Sequence, residues 1–146
     1  MFPYDEIDIK VNYHGLPYRL HMTDNGDWCD LFCAETVYLT KGSFALISQG
    51  ISMQLPDGYE AILAPRSSTF KKYGLLQANS IGIIDNSYCG DDDIWCFAAY
   101  ATRDVEIQKG TRICQFRIQE KQPHLHFISV PSLGTENRGG FGSTGD

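Results

Sequence analysis

The chain has 146 residues, 42% of them hydrophobic, and a formal net charge of -6. That length suits one compact domain with a real core, and the acidic balance argues against non-specific nucleic-acid binding, which needs a basic surface. It holds no apolar run of the roughly 18 residues that a membrane span takes, and its opening "MFPYDEIDIK" has acid where a secretion signal has base, so the expectation is a soluble cytoplasmic protein.

In chain order, "CDLFCAE" comes first and puts Asp30 ahead of an apolar alternation. An isolated Asp near a strand start is usually a turn or cap residue. Next come "TVYLT", "FALIS", "ISMQL" and "YEAILA", short runs rich in β-branched and aromatic residues. The turn clusters "KGS", "QG" and "PDG" separate them. "RSSTFKKYG" breaks this pattern. Ser67 and Ser68 are good N-cap residues and Gly74 is a good helix stop, so one short helix is expected there. A helix opening on two serines offers N–H groups and hydroxyls to an anion, and Arg66 adds a fixed positive fork. An ordinary N-cap beside a surface Arg explains the same letters.

"SIGIIDNSYCGDDD" reads as a short strand ending at Asp85, followed by an acidic turn. "DIWCFAAYA", "RICQFRI" and "HFISV" continue the strands. In "GTRICQFRI", Arg112, Cys114, Phe116 and Ile118 fall on one face, and Ile113, Gln115 and Arg117 on the other. His124 and His126 alternate in the last of these runs and would share a face. Two histidines without a third ligand more often mark a solvated face than a metal site. The five cysteines are odd in number and form no CxxC pair, which reads as reduced, mostly buried thiols.

The tail "PSLGTENRGGFGSTGD" is too rich in Gly, Ser and Thr to bury much, and a mobile arm is expected. Its "GFGSTG" matches GxGxxG, but only Asp146 follows, so no helix can open there as a dinucleotide fingerprint requires. The division expected is a β domain over 1–130 and a flexible arm over 131–146. Many short strands at this spacing suggest a sandwich, jelly roll or barrel.

Taken in order, "DLFCAE", "APRSST", "NSIGIIDNSYCGD", "GTRICQFRI" and "RGGFGSTG" resemble the five motifs of the trimeric dUTP diphosphatase (dUTPase) family. The resemblance runs from about Asp30 to the C-terminus. It implies an all-β fold, a distorted jelly-roll or β-barrel subunit with one short helix and a mobile C-terminal arm. It also implies a homotrimer whose active sites are shared between subunits. Motifs one, two and four would come from one chain, three from a second and the tail from a third. The implied reaction is dUTP plus water giving dUMP and pyrophosphate, with Mg²⁺.

On that resemblance, Asp85 would be the base that activates water for attack on the α-phosphorus. Tyr88 would pack on the deoxyribose and leave no room for a 2′-hydroxyl. Asn79, with the hairpin backbone through Gly82 and Ile84, would hydrogen-bond the uracil edge. Arg66, Ser67, Ser68 and Gln115 would hold the phosphates. Asp30 would act on the metal indirectly, through water, or support the local Arg network. Arg138, Gly142, Ser143 and Thr144 would clamp the outer phosphates, with Phe141 over the uracil. Two departures from the family pattern stand out: Cys89 replaces a long polar residue after Tyr88, and "RGGF" shortens the tail between its Arg and Phe.

The related dCTP deaminase shares this fold and uses a Glu soon after the third motif, whereas this chain has no Glu between Asn86 and Val105. Deamination therefore ranks low. A nucleotide-binding regulatory module with a protein partner is the other alternative. All five motifs being filled with chemically competent residues argues against a purely non-catalytic role.

Overall fold

The computed structural model describes residues 6–142 and 145. Eleven strands and one helix follow in order: β1 Lys10–Asn12, β2 Cys29–Asp30, β3 Val37–Leu39, β4 Phe44–Ser48, β5 Ser52–Gln54, β6 Tyr59–Pro65, α1 Thr69–Tyr73, β7 Leu75–Gln77, β8 Gly82–Ile84, β9 Cys96–Ala101, β10 Val105–Ile107 and β11 Cys114–Glu120. All pairings are antiparallel. The strands form four sheets, in the orders β1-β5, β10-β3, β2-β11-β6-β8 and β4-β9-β7. The all-β expectation holds with one short helix. The barrel alternative does not: among the described residues the sheets are separate and none closes on itself.

The two larger sheets enclose the core. Period-two alternation sends Ile47 of β4 and Phe97 of β9 inward, where both are essentially solvent-free. Trp95, just before β9, meets Phe116 of β11 edge to face at 5.2 Å between centroids. That contact ties one sheet to the other and adds about 0.5–1.5 kcal/mol beyond area burial. Substituting Phe97→Ala removes a fully buried ring and is expected to cost ~3–5 kcal/mol. Urea unfolding would read this as a lower midpoint with an unchanged slope.

The opposite face of the β4-β9-β7 sheet is apolar but uncovered. Phe44 is 60% exposed and Leu46 65%. Their register partners on β9 are Tyr100 and Ala98, and Leu76 of β7 also faces Tyr100.

The helix forms where expected, between Ser68 and Gly74, but without a side-chain cap bond at its start. Gly74 ends it in the left-handed region at φ 65, and its N–H donates to the Phe70 carbonyl. Ser68 occupies the N-cap without a side-chain cap bond. The Thr69 hydroxyl does a different job: its Oγ1 accepts from the Arg66 N–H, ahead of the helix, at 3.0 Å and donates to the Ile113 carbonyl at 2.6 Å. A buried hydroxyl with both roles filled holds the β6–α1 corner onto the start of β11.

Two further expectations are corrected. "HFISV" is not a strand, because it reaches no sheet edge of its own chain, and a ladder needs a partner. His124 and His126 therefore share no strand face, and both are exposed. Ile113, placed on the polar face of its strand, is fully buried because it precedes β11 and packs under the corner. Beyond Lys121, whose N–H donates to the Gly58 carbonyl at 2.9 Å, the described residues form no helix or strand and are exposed.

Candidate active site

One cluster forms where β2, β11 and β6 run side by side. Gln115 of β11 sits opposite Asp30 on one flank and Ala64 on the other. The Asp30 carboxylate meets Arg66 Nε at 3.2 Å and Arg112 Nη1 at 3.5 Å. Arg66 also donates to the Arg112 carbonyl at 3.2 Å, and Gln115 donates to the Pro65 carbonyl at 3.0 Å. Two guanidiniums share one half-exposed carboxylate, so the cluster keeps one net positive charge at the sheet end. Ser67 and Ser68 lie just past it, and the Ser68 hydroxyl is not consumed by capping. Arg112 was not among the residues singled out from the sequence. The signal was available, since it lies in the same "GTRICQFRI" run as Gln115.

A second cluster lies on β8 and the turn beyond it. β8 pairs with β6, with Ile84 opposite Ala61 and Gly82 opposite Leu63. A Cβ on Gly82 would meet the Leu63 Cβ at 3.1 Å, so close strand approach by itself accounts for this glycine. Asp85 follows Ile84 and is exposed. The Tyr88 N–H closes a turn onto the Asp85 carbonyl at 3.0 Å. The Tyr88 hydroxyl donates to the Ile94 carbonyl at 2.9 Å. Burial first, then the nearby Cys96 and Asp93, push that hydroxyl's pKa above its ordinary value, so it stays protonated as a donor at neutral pH.

Asn79 lies between β7 and β8, but these strands are not a paired hairpin. β7 belongs to the sheet with β9, and β8 to the sheet with β6. The link is a tight bend crossing from one sheet to the other, with Ser80 at φ 65 and the Ile81 N–H donating to the Asn79 carbonyl at 2.7 Å. Gln77 braces it by donating to the Leu63 carbonyl at 3.2 Å.

The two clusters sit on opposite flanks of β6, offset along it. Ile84, the residue before Asp85, sits opposite Ala61 on one flank of β6, and Cys114, the residue before Gln115, sits opposite Pro65 on the other; these points are four residues apart along the strand, roughly 13 Å at about 3.3 Å per residue. Arg138, Phe141 and Gly142 are exposed in the C-terminal segment, where Arg138 donates to the neighbouring Gly139 carbonyl, and Ser143 and Thr144 fall outside the described residues.

The dUTPase family model matches residues 28–145. The chain belongs to the dUTPase family. It is 51% identical over 140 residues to the SPbeta prophage-derived deoxyuridine 5'-triphosphate nucleotidohydrolase of Bacillus subtilis (strain 168), covering 95% of this chain and 99% of that one. It is 37% identical over 132 residues to the deoxyuridine 5'-triphosphate nucleotidohydrolase of Thermobifida fusca (strain YX), covering 89% and 72%. A solved mutant of the Staphylococcus bacteriophage 80alpha dUTPase with dUpNHpp superposes with a TM-score of 0.73 at 24% identity, covering 95% of this chain and 99% of that one. The dUTPase of Streptococcus mutans gives 0.68 at 23% identity, covering 81% and 98%. These two likenesses establish the shared fold.

As a dUTPase the chain is a hydrolase of dUTP. Its cysteines are free thiols, with Cys29, Cys33 and Cys114 buried and Cys89 exposed. Burial pushes the Cys33 thiol up to about 11 and Cys114 well above its ordinary value, so neither is a nucleophile at neutral pH. Among the described residues no helix is long and apolar enough to cross a membrane.

Proposed function

We propose that the chain releases dUMP and pyrophosphate from dUTP by water attack on the α-phosphorus, in a homotrimer whose active sites are shared between copies. The observation that carries this is the separation of the two clusters. A general base acts only within hydrogen-bond reach of the proton it takes, about 2.6–3.2 Å or one water further. Asp85 and the Arg66–Gln115 cluster of one chain are several times too far apart to serve one α-phosphate. A second copy that brings its own Asp85 turn to the first copy's cluster supplies both. The bare apolar face of Phe44, Leu46, Leu76 and Tyr100 supports such an assembly, since patches of this kind mark interaction sites.

In this reading Asp85 accepts the water proton as the oxygen attacks. The bond from the α-phosphorus to the bridging oxygen breaks, and pyrophosphate leaves with that oxygen. Arg66, Ser67, Ser68 and Gln115 hold the phosphates, with Arg112 completing the positive end. Asn79, Gly82 and Ile84 present backbone groups to the uracil edge, and Tyr88 packs against C2′ of the sugar. Arg138, Gly142, Ser143 and Thr144 close on the outer phosphates from a third copy, with Phe141 covering the base.

Mg²⁺ supplies charge neutralisation across the phosphate oxygens. An ion of this kind would be held mainly by the substrate's phosphates and water, with Asp30 supporting it indirectly. The residues fit that mode. Among those described, no group of three or more His, Cys, Asp or Glu is gathered. The Asp30 carboxylate is taken by two arginines, so it reaches a metal only through water.

The test is pyrophosphate release from dUTP, dTTP, dCTP and UTP with Mg²⁺. The expected result is turnover of dUTP alone. Fixed polar groups left unpaired by cytosine, and space denied to a 5-methyl or a 2′-hydroxyl, exclude the others. Comparable rates on UTP or dTTP would remove the roles given to Tyr88 and to the Asn79 bend.

A further inference from the structure

β8 ends at Ile84, so the ladder to β6 stops before Asp85. The next residues are exposed except one. Asn86 turns inward and is half-buried between Asp85 and Ser87. Its Nδ2 donates to the Pro56 carbonyl at 2.9 Å and the Tyr59 carbonyl at 3.0 Å, with the Leu55 carbonyl at 3.4 Å. An amide nitrogen carries two hydrogens. The two short bonds use both, and the third carbonyl shares one. Three acceptors around one atom also fix which way the amide points, because its oxygen there would face only other oxygens.

We propose that Asn86 is a positioning residue that sets Asp85 and Tyr88 together, by pinning the turn between them to the β5–β6 connection. The proposal rests on the roles given to those two residues above. The Asp85–Tyr88 backbone bond makes the turn a rigid unit, and the Asn86 amide fixes that unit to the body of the subunit. Losing the amide lets base and sugar gate shift together. A displacement of about 1 Å at a reacting centre costs on the order of a hundredfold in rate. The same shift opens space beside C2′ and weakens rejection of UTP.

The experiment compares Asn86→Ser, Asn86→Ala and Asn86→Asp with the unsubstituted protein. Each is purified at the unsubstituted protein's assembly size and assayed well below its own Tm. Asn86→Ser retains one donor, Asn86→Ala none, and Asn86→Asp turns a carboxylate on three carbonyls. The expected result is a graded fall in kcat for dUTP, about tenfold or more for Asn86→Ala. A parallel fall in the dUTP-to-UTP ratio of kcat/KM is expected, about threefold or more. Asn86→Asp should be no better than Asn86→Ala. A purely structural amide would lower Tm and leave both quantities unchanged in the folded fraction, and that result would overturn the proposal. A loss of rate with the UTP preference intact would overturn it too. If the unsubstituted protein fails to release pyrophosphate from dUTP, the fault lies instead with the reading of the site.

Discussion

An Asp85→Asn enzyme is expected to bind dUTP with near-normal affinity and to release pyrophosphate ~10²–10⁴ times more slowly. The substitution keeps the shape and hydrogen-bonding size of the side chain and removes only its ability to accept the water proton. Asp85 is exposed and lies past the end of β8, so the fold is insensitive to the change. Surface substitutions of this kind stay within about 0.5 kcal/mol. Calorimetric titration with a non-hydrolysable dUTP analogue gives the affinity, and single-turnover pyrophosphate release gives the rate. Turnover close to that of the unsubstituted enzyme would strip Asp85 of its role as base.

The second large effect is a recovery rather than a loss. Arg66→Ala and Asp85→Asn should each be nearly inactive alone. Mixed, unfolded and refolded together in equal amounts, they should regain activity. If each site joins one copy's phosphate cluster to another copy's Asp85 turn, about a quarter of the sites in random trimers carry both intact halves. No recovery, with subunit exchange verified by differently tagged copies, would show that each chain works alone. Arg66→Ala suits this test because it leaves Asp30 still paired with Arg112, so the carboxylate is not stranded without a cation.

Much of the fold is legible in local letters, and the rest is not for a common reason. "FALIS" is strand β4 to the residue and "YEAILA" is β6 but for its final Pro65, because both have full partners and clear periodicity. β1 and β10 are three-residue strands and β2 has two, too short to show a period. "HFISV" has strand composition and no strand, since β propensity describes fit to a neighbour, and its own chain offers none. The N-cap shows the same limit. Two serines invite capping, and Ser68 does take the N-cap position but makes no side-chain cap bond, while the buried Thr69 hydroxyl beside it holds the Ile113 carbonyl, a tertiary contact 44 residues away in sequence.

The site divides in the same way. Motif order carries the family and the candidate residues. Only the pairing of Ile84 with Ala61 and of Gln115 with Ala64 shows the two halves on opposite flanks of β6, offset along it. Asn86 was invisible as a working residue. In "IDNSY" it reads as a turn former, and its three carbonyl partners lie 27 to 31 residues back.

The Pro56–Gly58 turn looks like an ordinary surface bend, with Gly58 at φ 86 and open space around it. Such loop tips are where lengthened variants, epitope tags and circular permutations are normally tolerated. Here the connection receives Asn86 through the Leu55, Pro56 and Tyr59 carbonyls, and the root of the C-terminal arm through Gly58. An added residue there would displace two distant segments at once. This bend is a poor place to graft anything.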